Sequence, residues 1–339
     1  MIFLEFAACA IVILIAGTKL SKHADVIAEA TGLGKSWVGL LLLATVTSLP
    51  ELLSSISAVT LNNVPDLAVS GTLGSCMFNM LVIASLDLHS KTRPVSALVQ
   101  QGHQLSAGFG VVLLALAAID ILFGKYLPTI SALNSIDPMS LLFIVVYLFS
   151  MKLIYSYEKT RLQEFIHESA AAITTGQNEK DSSALKGAIT WFTVHSIFIV
   201  IASLYLPDLA EQIAKQTGWG ESFIGSSLIA ITTSLPEITV SVAAARMGSF
   251  DMAVANLLGS NLFNVAILAI TDFFYLKAPL LRSVQQINTL SALTAIVCSG
   301  VVIIGLTYQS KKKFYYLAGD AIAIAFFYIM ANTLLFMVH

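Results

Sequence analysis

Charge is what this chain has least of. Only 11% of its 339 residues are Asp, Glu, Lys or Arg, and 57% are hydrophobic. A soluble domain carries about 25% charged residues, so this chain cannot cover a soluble fold of its size and reads as a polytopic membrane protein. Its net charge of −2 offers no basic field and argues against a nucleic-acid partner. Cysteine is scarce too. Cys9, Cys76 and Cys298 are odd in number and all lie in apolar segments, which argues against a disulfide framework and for small-residue packing. No basic n-region precedes the first apolar run, MIFLEFAACA, so it reads as a retained first helix and not a cleaved signal peptide.

Apolar runs long enough for membrane helices are expected at about 2–18, 36–60, 66–86, 97–123, 139–156, 187–206, 221–247, 251–272, 285–307 and 314–337. The only substantial polar interval, 157–186, is read as a linker. It separates an N-terminal half (1–156, helices 1–5) from a C-terminal half (187–339, helices 6–10). The expected fold class is therefore an all-α polytopic membrane protein of ten transmembrane helices in two five-helix halves. Of the 18 basic residues, 14 fall on one side of this arrangement and four (Lys125, Lys215, Lys277, Arg282) on the other. The positive-inside rule then makes the linker cytoplasmic and both termini extracytoplasmic, in a cell (inner) membrane.

One segment occurs twice. GLLLLATVTSLPELLSSISAV (39–59) and GSSLIAITTSLPEITVSVAAA (225–245) are identical at ten of 21 positions, and DLAVSGTLGSCMFNM (66–80) matches DMAVANLLGSNLFNV (251–265) at eight of 15. The repeats span 39–86 and 225–272. Because they are offset by five helices, an odd number, they must cross the bilayer in opposite senses, as in secondary transporters that bind substrate at the midplane. Each copy buries a glutamate, Glu51 or Glu237, at a cost of about 3 kcal/mol or more in a membrane. A duplicated scaffold without a transport role has no use for them.

Each copy also places a proline inside a helix. Pro50 and Pro236 have no N–H to give the carbonyls of Val46 and Thr232, and the kink is expected to tilt neighbouring carbonyls, including those of Ala44 and Ala230. Orphan carbonyls in lipid need partners, and a cation is one. The same turns carry the hydroxyls of Thr47, Ser48, Thr233 and Ser234. The next helix of each copy brings Ser75 with Asn79 and Ser260 with Asn264, four residues apart on one helix face. Gly74 and Gly259 beside these serines allow close helix approach. These are hard oxygen ligands without His or Cys, suited to Na⁺ and Ca²⁺ and unsuited to zinc or copper. Elsewhere, Glu5, Asp87, Asp120 and Asp272 are read as snorkelling or capping groups near helix ends. Asp66 and Asp251 are read as helix N-caps, and His195 as a hydrogen-bonded core histidine.

Two inverted copies of T-S-L-P-E followed by G-S-x-x-F-N resemble the α-repeats of the cation/Ca²⁺ exchanger superfamily, with the prokaryotic Na⁺/Ca²⁺ exchangers as the nearest branch. The resemblance covers essentially the whole chain. It implies that Glu51 and Glu237 are central carboxylates shared by Ca²⁺ and Na⁺. Thr47, Ser48, Thr233, Ser234, Ser75, Asn79, Ser260 and Asn264 would ligate beside them, together with the backbone carbonyls of Ala44 and Ala230. It also implies alternating access by sliding of helices 1 and 6, several Na⁺ exchanged per Ca²⁺, no cofactor, no enzymatic step and action as a monomer in the lipid bilayer. In the K⁺-dependent relatives an aspartate stands where this chain has Asn264. The chain departs from the family pattern at Val46, at Thr232 and in Ser70-Gly71-Thr72-Leu73-Gly74-Ser75-Cys76, where Cys76 cannot supply a hard amide oxygen. A Na⁺-driven Ca²⁺ antiporter is the leading expectation; H⁺-coupled exchange and a non-transporting cation-binding membrane protein are the alternatives.

Overall fold

The computed structural model describes residues 1–90, 93–126, 137–170, 182–217 and 232–338. The described residues are overwhelmingly helical. Nine helices among them are long and apolar enough to cross a membrane: α1 (Ile2–Thr31), α2 (Lys35–Thr60), α3 (Pro65–His89), α4 (His103–Tyr126), α5 (Pro138–Arg161), α6 (Ala184–Ala210), α8 (Phe250–Phe274), α9 (Asn288–Tyr308) and α10 (Gly319–Met337). α7 is described from Leu235 to Arg246; the earlier part of the expected seventh span, with Ala230, lies outside the described residues. Two helices outrun their apolar stretches. The helix containing α5 continues to Ala170 and the one containing α6 runs over Ser182–Thr217, because hydrogen bonding along the helix does not stop at the bilayer boundary. The expected start of the fourth helix moves the other way. Residues 95–97 form a short 3₁₀ turn after Pro94, and the α-helix begins at His103.

α8 is the centre of the molecule, buried nearly all round, while α1 and α10 present most of their surface outward. Leu4, Ile11 and Ile15 of α1, Phe198 and Tyr205 of α6 and Phe326 and Ile329 of α10 are exposed apolar side chains. In water such a surface would be a liability, whereas in lipid it is the solvent-facing side. α1 and α6 pack chiefly on each other, and α1 alone also packs extensively on α7. There Gly17 matters: a Cβ would lie 2.7 Å from Thr239 Cγ2, and Ser21 Oγ donates to the Val240 carbonyl at 2.8 Å.

The inverted relation of the repeats is visible in four carboxylates. Asp66, at the start of α3, accepts from Gln285 N (2.8 Å) and Asn288 Nδ2 (2.9 Å) at the start of α9. Asp251, at the start of α8, accepts from Gln100 N (2.7 Å) and Nε2 of His103 (2.9 Å) at the start of α4. At the helix ends, Asp87 accepts from Val95 N (2.6 Å) and Ala318 N (2.7 Å), and Asp272 accepts from Leu280 N (2.6 Å) and Asp137 N (2.8 Å). The start of α3 thus shares a face with the end of α8, so the two helices run antiparallel. These contacts correct two expectations. Asp66 and Asp251 do not cap their own helices, which show no side-chain cap bond; they tie each repeat to a helix of the other half. Of the two roles expected for Asp87 and Asp272, snorkelling is excluded by their burial, and the capping they provide is of the elements that follow rather than of their own helices. Asp120 is also fully buried, and neither of its carboxylate oxygens has a hydrogen-bond partner.

Candidate cation site between the repeats

Both T-S-L-P-E segments break their helix at the same place. Upstream of the first, Gly39–Leu43 forms a π-helical turn. Ser48 then leaves helical geometry (φ −93°, ψ 3°) and α2 resumes at Leu49; Ser234 does the same (φ −88°, ψ 5°) before α7 resumes at Leu235. Pro50 and Pro236 fall at the second position of the new segment, where the missing N–H leaves no bond unmade inside it. Glu51 and Glu237 follow in the first turn and point into the protein, 4% and 1% exposed. π-turns and broken helices are tolerated at membrane depth only where they line a protein-enclosed site.

α2 crosses α8 at very short range. A Cβ on Gly259 would stand 2.3 Å from the Leu40 carbonyl oxygen and 2.9 Å from the Ala44 side chain, and one on Gly39 would stand 2.5 Å from the Met252 carbonyl oxygen. Only glycine permits this approach, and it brings Ser260, the next residue, against Thr47.

Hydroxyls and amides weave the two copies together. Ser48 Oγ donates to Glu237 Oε1 at 3.1 Å. Ser75 and Ser234 hydroxyls lie 3.2 Å apart, and those of Thr47 and Ser260 3.4 Å apart. The carbonyl of Ala44 accepts the Ser48 amide at 3.1 Å and the Thr47 hydroxyl at 3.4 Å, so it is engaged within its own helix and is not the orphan carbonyl expected from the proline kink. Glu237 and Ser75 are both neighbours of Glu51. Thr47, Ser48, Ser75, Asn79, Ser234, Ser260 and Asn264 are all buried. Thr233 is half-buried.

What distinguishes this region is an excess of acceptors. Both oxygens of Glu51, Oε2 of Glu237, Oδ1 of Asn79 and Oδ1 of Asn264 are buried without a hydrogen-bond partner among the described residues. Buried polar oxygens are ordinarily satisfied, and these five lie at equivalent places in the two repeats. Among the described residues no group of three His, Cys, Asp or Glu side chains is placed to hold a metal. Among the described residues gathered here, Glu51 and Glu237 are the two acidic side chains and the other oxygen-bearing side chains are neutral.

Two residues absent from the sequence-level site turn out to shape it. Asn261 Oδ1 accepts from Asn79 Nδ2 at 2.9 Å while its own amide donates to the Cys76 carbonyl at 3.0 Å, leaving the Asn79 oxygen free for the site. Asn256 Nδ2 donates to Ser241 Oγ at 2.9 Å, with its Oδ1 3.5 Å from Thr47 Oγ1. The equivalents in the first copy are Cys76 and Gly71, so this support comes from one side only. The available signal was the presence of two further asparagines in a helix otherwise almost wholly apolar.

A pair of broken, inverted helices enclosing unpaired carboxylates defines a membrane transporter for cations. Residues 1–155 and 187–337 match the family model described as sodium/calcium exchanger protein, and the chain belongs to that family of cation/Ca²⁺ exchangers. The inner membrane protein YrbG of Escherichia coli is 30% identical over 251 residues, 74% of this chain and 72% of its own. The sodium/calcium exchanger MaX1 of Methanosarcina acetivorans is 27% identical over 275 residues, 75% and 77% of the two chains. The Ca²⁺/H⁺ antiporter ChaA of Bacillus subtilis is 22% identical over 285 residues, 82% and 78%. Among solved structures, the sodium-calcium exchanger NCX_Mj superposes with a TM-score of 0.73 at 18% identity over 98% of this chain and 99% of its own, which shows the shared fold.

Proposed function

We propose that the chain is a Na⁺-driven Ca²⁺ antiporter in which one site between the repeats binds either Ca²⁺ or Na⁺ and opens to the two sides of the membrane in turn. The five unpartnered buried oxygens on Glu51, Glu237, Asn79 and Asn264 are the observation that carries this reading. Two carboxylates neutralise one Ca²⁺, and the Ser, Thr and Asn oxygens complete a hard shell. Na⁺ ions compete for the same charge, and that competition couples their movement to Ca²⁺. The mobile part is the α1–α6 pair, which packs on itself more than on the rest and meets α7 across the smooth Gly17 contact. The basic bias places the face with Asp87 and Lys313 in the cytoplasm and the face with Asp272 and Arg282 outside, and the protein acts as a monomer.

Reconstituted vesicles loaded with Na⁺ should take up labelled Ca²⁺ when Na⁺ is diluted outside. An imposed pH gradient without Na⁺ should not drive uptake. The reverse outcome would point to H⁺ coupling, for which Glu51, with two unpartnered oxygens, would be the proton carrier.

A further inference from the structure

Away from the cation site, α1 and α6 together build a second polar feature. Lys19, Lys22 and His23 of α1 and Trp191 and His195 of α6 line an open recess of about 310 Å³. Its depth in the bilayer follows from sequence. The apolar run of α1 ends at Thr18, and Lys19 and Lys22 are the first basic residues of the chain. The apolar run of α6 begins at Gly187, which sets Trp191 about one turn inside. Both places correspond to the headgroup level, where tryptophans form belts and lysines extend toward the interface.

The recess has a fixed floor and a single sign of charge. The rings of His23 and His195 stack with centroids 5.3 Å apart at an interplanar angle of 24°, and Trp191 tilts against His195 at 5.7 Å. Nδ1 of His195 lies 2.5 Å from the Trp191 carbonyl oxygen, which fixes the ring. No Asp or Glu among the described residues lines the recess. Among the described residues Lys19 and Lys22 form no ion pair, in contrast to Lys35, which holds Asp25 at 2.7 Å. Two lysines and two histidines, beside the indole N–H of Trp191, suit an anion. One turn deeper on the same helix faces stand the exposed apolar side chains Ile15 and Phe198, a surface for acyl chains.

We propose that this recess binds the headgroup of one anionic phospholipid, its phosphate between Lys19 and Lys22 and its chains along Ile15 and Phe198. The lipid would clamp α1 to α6. In the antiport reading these two helices move as a unit, so the bound lipid would support exchange, but binding itself does not depend on that reading.

The test is native mass spectrometry of the full-length protein in detergent, titrated with phosphatidylglycerol, phosphatidylcholine or inorganic phosphate, beside the double variant Lys19→Gln/Lys22→Gln. The wild type should retain one phosphatidylglycerol in preference to phosphatidylcholine. The double variant should bind it about thirtyfold more weakly, the effect of two lysines at an anionic surface. Its Ca²⁺-induced thermal stabilisation should match wild type, which shows that the variant is folded and the cation site intact. Equal retention of phosphatidylglycerol by both proteins, or no preference over phosphatidylcholine, would overturn the proposal. Displacement of phosphatidylglycerol by millimolar inorganic phosphate would overturn the lipid assignment and leave a soluble-anion site.

Discussion

Replacing Glu51 by glutamine separates charge from shape at the centre of the site. At about 4 Å and an effective dielectric of about 20, a carboxylate attracts a unit charge by about 4 kcal/mol and a divalent ion by about 8 kcal/mol. Glu51→Gln therefore removes about 4 kcal/mol more from Ca²⁺ than from a single Na⁺, a selectivity change of about a thousandfold. The ion-free protein responds in the opposite sense. Glu51 and Glu237 share one buried pocket, where Ser75 is the hydroxyl beside Glu51; a glutamine oxygen can accept from that hydroxyl as the carboxylate does, so the substitution orphans no donor and removes the repulsion between two buried acids. Thermal unfolding with a Ca²⁺ titration reads both effects. At a hundredfold excess over its Kd, Ca²⁺ should stabilise the wild type by about 2.7 kcal/mol and the variant by almost nothing. The variant's ion-free midpoint should lie above the wild-type one. A Ca²⁺-induced rise equal to wild type would refute the assignment of Glu51 to the site, and a lower ion-free midpoint would refute the repulsion argument.

Gly259→Ala should force α2 and α8 apart, because the added Cβ would run into the Leu40 carbonyl, costing about 1–3 kcal/mol and lowering Ca²⁺ flux in vesicles through displacement of Ser260. Asp87→Ala and Asp272→Ala should each strand two buried backbone amides at about 1–3 kcal/mol per amide; denaturant midpoints should fall by similar amounts in both, while Ca²⁺ affinity of the folded fraction stays near wild type. Choline in place of K⁺ should leave Na⁺-driven Ca²⁺ flux unchanged, because the site holds two carboxylates and a neutral Asn264, and burying an uncompensated K⁺ is costly. Collapse of the flux would require another acidic residue in the site. A cysteine at Gln177, in a background without the native cysteines, should resist a membrane-impermeant thiol reagent in intact cells, and ready labelling would reverse the orientation.

The class of fold, and the glutamates that the structure brings together at the candidate site, were legible without coordinates, for physical reasons that are local. A bilayer demands long apolar runs, and a glutamate beside a proline within such a run has few explanations other than function. Its recurrence five helices later fixes the inverted relation by counting alone. Neighbourhoods were not legible. That Asp66 serves α9 and Asp251 serves α4, that Asp87 reaches Ala318 and Asp272 reaches Asp137, and that Asn261 holds the Asn79 amide all depend on residues at least 135 positions apart. Composition equally cannot tell a buried carboxylate satisfied by distant amides from one left open for an ion. Only the packed structure separates Asp87, whose oxygens are taken by backbone N–H groups, from Glu51, which no backbone N–H of another element reaches among the described residues. The sequence determined which groups enter the membrane. Tertiary packing decided which of them remain unpaired there, because hydrogen-bond satisfaction belongs to the folded neighbourhood and not to the residue.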